Sequence, residues 1–315
     1  MRVFIAGSTG VLGRRLITEF GERGHTVIGL TRDATGDEIV EARGGEPRRG
    51  DLFDEDSILR AAEGADTIIH AATAIPTDSP TPEAWELNDR VRTEGAEALT
   101  RAAVEVGADQ YLQQSVVYVA RQPDGSAYDE SSEPNPVSWT QSALDAEEIA
   151  VEAGEQYGFD VSVLRCGNFY APDSYFTRAD GEGLIRDERP IIEDSENTLL
   201  SFLHADDAAR AFIATAEAPQ NGLWHVVDNE PMSDAEYISI LAERLDASSP
   251  GQISKETAYE AMGDITAELL TNAWPTSNDK FRTEIGWEPT YPTCREGLTQ
   301  VVDAWTSEGF LLDTE

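Results

Sequence analysis

The chain has 315 residues, enough for one large or two modest domains, and a 40% hydrophobic share supports a real core. Its net charge of −37, from 60 acidic residues against 23 basic ones, rules against nucleic acid or an anionic membrane surface as a partner. Only Lys255 and Lys280 are lysines, and acid excess spread along the whole length fits a halophile's salt-saturated cytoplasm, where ionic strength screens self-repulsion.

Arg2-Val3-Phe4-Ile5-Ala6 reads as a buried strand. It runs into Gly7-Ser8-Thr9-Gly10-Val11-Leu12-Gly13 and then Arg14-Arg15-Leu16-Ile17-Thr18-Glu19-Phe20, a glycine-spaced turn feeding a helix. The spacing is G-x-x-G-x-x-G. Gly7 lets the chain turn sharply, Gly10 lets a pyrophosphate approach the backbone, and Gly13 lets the helix lie close to the sheet. Free N–H groups at the helix start favour a phosphate. This stretch predicts dinucleotide binding.

His25-Thr26-Val27-Ile28-Gly29-Leu30 predicts a second strand, ending at Thr31-Arg32. An acidic residue near this point would bind the ribose hydroxyls of NAD. A cation suits a 2′-phosphate, so Arg32 favours NADP, while Asp33 keeps NAD open. Residues 45–50 read as a short third strand, followed by Asp51-Leu52. Residues 65–72 form a fourth strand that opens into the small residues Ala71 and Ala72. A helix from about Pro82 to Gly107 carries Asn88, and residues 111–118 form the fifth strand. Strands separated by helices in this order predict a doubly wound parallel α/β sheet of Rossmann type, binding at the C-terminal strand ends.

Residues 121–137 read as a loop, and Ser138 is a candidate cap for a helix to about Tyr157. Residues 161–165 form a sixth strand. Beyond 171 the alternation breaks: residues 171–200 read as irregular, 205 onward as an Ala-rich helix, 223–227 as a further strand, and 231–315 as mostly helical. The expected division is a dinucleotide-binding domain over 1–170, rejoined by 201–228. A smaller substrate-binding part comprises 171–200 and 229–315. Cys166 and Cys294 lie outside any C-x-x-C pattern, so a reduced, cytoplasmic protein is expected. No apolar stretch has the length of a spanning helix, and no signal peptide is expected. Four scattered histidines show no metal-ligand spacing.

The glycine turn, Gly50-Asp51-Leu52, His70-Ala71-Ala72, Asn88 with Gly95, Leu164-Arg165 with Asn168, residues 202–211 and Ile285-Gly286-Trp287-Glu288-Pro289 together resemble the extended short-chain dehydrogenase/reductases, the NAD(P)-dependent epimerase/dehydratase group. The resemblance implies that Asp51 accepts from the adenine amine and Leu52 lines its pocket. Ala71 and Ala72 would pack near ribose and pyrophosphate. Asn88 would join the active-site hydrogen-bond chain, and Asn168 would lie near substrate.

The family's chemistry also needs a serine or threonine and a Tyr-x-x-x-Lys pair, the lysine lowering the tyrosine pKa through its charge. Registered on Glu147, the tyrosine position here is Trp139 and the lysine position Ala143. No Lys or Arg lies between Arg121 and Arg165, so the pair reads as absent. Ser115 is a candidate active-site donor at the end of the fifth strand, although alignment on Tyr118 puts the family serine at Gln114. The alternative is a strand-end serine bonding backbone. Tyr118 is a candidate proton donor or a packing residue. Trp139 fills the tyrosine's space or stacks on a substrate ring.

The leading reading is an NAD(P)-dependent oxidoreductase without the Tyr/Lys pair, acting on a small carbonyl, alcohol or sugar-like molecule, with a homodimer as the assembly to look for. The alternatives are a non-catalytic NADP-binding sensor and a sugar epimerase or dehydratase. The acid excess predicts that the melting temperature rises between low and multimolar KCl; an unchanged value contradicts salt adaptation.

Overall fold

The computed structural model describes residues 1–77 and 82–310. The chain runs β1 (Arg2–Ala6), α1 (Val11–Glu22), β2 (Thr26–Thr31), α2 (Ala34–Glu41), β3 (Glu46–Arg49), α3 (Glu55–Ala62), β4 (Thr67–His70) and α4 (Pro82–Val106). It continues through β5 (Gln110–Val116), α5 (Gln141–Tyr157), β6 (Asp160–Cys166), β7 (Asn168–Tyr170) and α6 (Tyr175–Ile185). Short strands β8 (Ile191–Ile192), β9 (Leu199–Leu200) and β10 (Phe202–His204) precede α7 (Ala205–Glu217) and β11 (Gly222–Val226). The C-terminal part holds β12 (Met232–Ser233), α8 (Asp234–Arg244), β13 (Gln252–Ile253), α9 (Lys255–Met262), α10 (Asp264–Thr271), α11 (Asp279–Ile285) and α12 (Cys294–Glu308).

Seven strands form one parallel sheet in the order β11-β6-β5-β4-β1-β2-β3. The strand order reverses between β1 and β4, which opens a crevice at their C-terminal ends. Alternation along β1 sends Val3 and Ile5 to the face covered by α1, α2 and α7, and Phe4 and Ala6 to the face covered by α3, α4 and α5. A third core fills the C-terminal part and reaches back to Trp85, Tyr118 and Trp139 beside the sheet. Among the described residues, no helix is long and apolar enough to cross a membrane.

Several boundaries differ from the sequence reading. Strand β5 stops at Val116, and a 3-10 turn over Val117–Ala120 carries Tyr118. Ser138 does not cap α5. It lies in a 3-10 turn over Ser138–Thr140, where the Thr140 hydroxyl accepts from the Val137 N–H at 3.0 Å. Residues 171–200 are not all irregular, since α6 lies within them. Gly181 and Gly183 resemble helix breakers in sequence, yet a Cβ on Gly181 would sit 2.7 Å from the Trp305 ring. That glycine is chosen for packing against α12.

Helix α5 is pinned to the sheet by a buried ion pair. Ser115 and Arg165 are register neighbours on β5 and β6. Glu147 of α5 meets the Arg165 guanidinium through Nη2–Oε2 at 2.7 Å and through Nε, which lies 2.9 Å from Oε1 and 3.2 Å from Oε2. The Ser115 hydroxyl donates to the same carboxylate. Removing Glu147 alone leaves a buried cation uncompensated, so Glu147→Ala should cost about 3–5 kcal/mol in denaturant unfolding. The paired change E147L with R165M should cost less, and a single-variant loss below about 1 kcal/mol would contradict this role.

Candidate active site

The turn between β1 and α1 has the shape a diphosphate needs. Gly7 has φ +89, and a Cβ there would lie 2.4 Å from the Ala71 carbonyl oxygen. A Cβ on Gly13 would lie 2.1 Å from the Gly7 carbonyl oxygen, so helix and turn touch. Beside Gly10 the nearest atom to such a Cβ is the Gly7 oxygen at 3.3 Å, and the remaining space is open. The first turn of α1 has no side-chain cap. Its N–H groups therefore stay available to an anion. These residues fit a dinucleotide.

The turn's side chains are mostly committed elsewhere. The Ser8 hydroxyl donates to the Leu30 carbonyl at 2.6 Å and is fully buried, and Leu12 packs in the core. Ser8 and Leu12 therefore have backbone, rather than side chains, to offer a ligand. Thr9 offers its carbonyl to Arg14 at 2.9 Å, and Val11 is half-buried at the helix start. Arg14 and Arg15 both reach Asp173 after β7. Burial would raise the Asp173 carboxyl, but Arg15 and Arg14 outweigh it and hold the group at about 2. This clamp ties α1 to the segment entering α6.

At the end of β2, the Thr31 hydroxyl donates to Asp37 at 2.6 Å, and Asp37 in turn holds Arg49. Asp33 caps α2 by accepting from the Gly36 N–H at 2.9 Å. Arg32 is exposed and has no ion-pair partner among the described residues. Asp51 is exposed and accepts from the Phe53 N–H, while Leu52 packs partly against the α3–α4 core. Ala71 and Ala72 lie beside Gly7. His70 sits beneath them, fully buried, bonding the Val91 carbonyl through Nε2 at 3.1 Å and accepting from the Ala72 N–H at Nδ1.

Beyond β5 the crevice is aromatic. Trp139 has ring centroids of Trp85 at 6.0 Å, Tyr118 at 5.9 Å and Trp274 at 6.3 Å. Tyr118 also meets Trp274 at 5.3 Å edge-on. Ser115 is buried and its hydroxyl donates to Glu147 on α5, which engages it in the scaffold. Burial raises the Tyr118 phenol well above its ordinary value, and no cation lies on α5 to lower it. Tyr118 is a buried ring in the aromatic wall whose phenol keeps its proton. Asn88 is fully buried and accepts from the Ala74 N–H at 2.9 Å, fixing the segment after β4. Asn168 is half-buried on β7, whose partner strand is β10.

The NAD dependent epimerase/dehydratase family model matches residues 3–227. The chain belongs to that family. A 3-diazoavenalumate denitrifying reductase of a Streptomyces species is 32% identical over 95% of this chain and 99% of its own length. Human dTDP-D-glucose 4,6-dehydratase is 26% identical over 83% of this chain and 75% of its own. UDP-glucose 4-epimerase of Thermotoga maritima superposes with a TM-score of 0.81 at 17% identity, over 98% of this chain and 99% of that one. A dTDP-glucose 4,6-dehydratase of Streptomyces venezuelae, solved with NAD, superposes at 0.80 with 20% identity over both full chains. The cofactor class is thus that of an NAD-dependent family.

Sequence reasoning missed Trp85, Arg92 and Trp274 of this family member. Trp85, Asn88 and Arg92 share one face of α4 at i, i+3 and i+7, a spacing visible in the sequence. Arg92 is buried, and its Nη1 donates to the Trp139 carbonyl at 3.1 Å and the Ser142 hydroxyl at 3.2 Å. Trp274 carried no local signal.

His70 gives a pH prediction. Burial lowers its pKa to about 4 despite bonds to backbone carbonyls of α4. The unfolded chain takes this proton below about 6.5, the folded one only near 4. The contribution of neutral His70 is full above about pH 6.5 and is lost as pH falls towards 4, at most about 3 kcal/mol. His70→Gln should flatten the fall in stability between pH 6.5 and 4; an unchanged slope contradicts the assignment.

Proposed function

We propose that this protein is an NADP-dependent reductase of a small planar substrate, working without a tyrosine–lysine relay. The observation that carries the reading is Trp139, packed among three aromatic rings at the position registered for the relay tyrosine, with Ala143 one turn on. Ala143 is buried, and α5 has no cation of its own. Ser115 is held by Glu147, and Tyr118 is a weaker acid than an ordinary phenol. The chain's own residues therefore bind and orient, and supply no tuned acid.

A bound reduced nicotinamide supplies a hydride. Hydride added to a carbonyl carbon leaves an alkoxide that must take a proton. Hydride added to a carbon bearing a diazonium group expels dinitrogen and takes none. The Streptomyces relative is by name a denitrifying reductase of a diazo compound, which supports an acceptor of this second kind here. A sugar epimerase or dehydratase needs controlled proton removal, which these side chains do not favour.

Arg32 supports NADP over NAD. It is an exposed cation without an ion-pair partner among the described residues, at the end of β2, where Asp33 is engaged as a helix cap. Arg32→Glu should weaken NADPH binding at least about tenfold and leave NADH nearly unchanged, as expected for a charge-assisted phosphate contact. Turnover is tested by NADPH oxidation at 340 nm with arenediazonium salts, quinones and simple ketones, corrected for the uncatalysed rate. Faster turnover is expected of the arenediazonium salts, which need no proton, and of the quinones, whose hydride adduct is a stabilised phenolate rather than an alkoxide. Ketones as the best acceptors, or bound NADPH with no turnover of any class, would contradict the proposal.

A further inference from the structure

The aromatic wall contains a second pattern, in hydrogen-bond donors. Trp85 Nε1–H, Asn88 Nδ2–H and the Tyr118 hydroxyl are buried, and none has a partner among the described residues. Buried donors are nearly always satisfied, by protein, water or ligand. Trp85 and Tyr118 flank Trp139 through ring contacts, and Asn88 lies one turn along α4 from Trp85.

The next group on that helix face is Arg92. Among the described residues it makes no direct ion pair: it reaches Asp89 through Ser142, whose hydroxyl donates to Asp89 Oδ1 at 2.6 Å. Two carboxylates nearby already have donors, Asp89 from Ser142 and Glu268 from Trp139 Nε1 at 3.3 Å. What is left over in this region is donors, with one buried cation at the end of the row.

We infer that the Trp85–Asn88–Arg92 face of α4 is the acid-binding wall of the substrate site, and that the substrate is a planar conjugated carboxylate. The Trp139 indole covers its flat body, and Trp85 meets it edge-on through its N–H. Its carboxylate oxygens accept from the donors on α4, with Arg92 as the matching charge. This rests on the reductase reading above and adds the chemical class of the substrate. It is also a different ligand chemistry from a nucleotide sugar, whose charge lies on phosphate and whose body is a puckered, hydroxylated ring.

The test is titration calorimetry of the NADP-loaded protein with trans-cinnamate and with methyl cinnamate, which has the same planar body without the charge. The acid should bind at least ten times more tightly than the ester. Trp85→Phe keeps an aromatic ring but removes the N–H together with the pyrrole part of the indole, so it should weaken the acid several-fold more than it weakens the ester. Arg92→Gln should reduce the acid's advantage to less than about threefold. NADP affinity, measured alongside, should stay unchanged in both variants and reports that they remain folded. Equal binding of acid and ester, no binding of the acid, or displacement of NADP by the acid would each overturn this inference and leave the reductase reading standing. Failure of the unaltered protein to bind NADP would instead overturn the reading beneath it.

Discussion

The buried Glu147–Arg165 pair sets the geometry on which the site depends. It fixes α5 against β5 and β6 at one point and in one rotation. A carboxylate and a guanidinium in such a place need two good bonds and a third donor to offset desolvation, and Ser115 supplies that donor. Once α5 is held there, the chain entering it must put Trp139 against Trp85 and Tyr118. The same serine that a substrate could have used is thereby committed to the scaffold.

Around that anchor the charges are redistributed. Helix α5 has no cation, but α4 sends Arg92 across to its first turn. A small residue, Ala143, stands one turn after a large one, Trp139, and both are buried. Burial lowers the Arg92 guanidinium to about 10, so it remains charged at neutral pH. The cation thus reaches the site from a neighbouring helix, bonded to backbone and hydroxyl. At the other end of the crevice, Arg14 and Arg15 clamp α1 to Asp173 and keep the phosphate turn in register with the segment after β7.

The parts legible in the sequence were the ones set by neighbours along the chain. The change from an apolar strand to glycines spaced by three is local, and Gly7 and Gly13 occupy the close contacts that such spacing requires. The parallel order of strands followed from alternation with helices. Side-chain roles were less legible because they depend on partners far along the chain. Thr31 is placed at the nucleotide end but turns to Asp37, and Ser8 turns to Leu30. Helix α6 was concealed by Gly181, whose reason is the Trp305 ring of α12. Trp274 reaches Tyr118 only through the packing of the C-terminal part. Trp85 and Arg92 had a readable spacing, yet only the packing of α4 on α5 gives it meaning.

The central claim is that the crevice between β1 and β4 grips a pyridine dinucleotide whose reactive end lies beside an indole. The most direct measurement is an equilibrium titration of the protein with NADPH and with NADH, exciting the indoles and recording energy transfer to the reduced nicotinamide. The account predicts saturable transfer with both, tighter for NADPH, and a smaller transfer signal when Trp139 is replaced by phenylalanine. Absence of saturable binding by either nucleotide would contradict it.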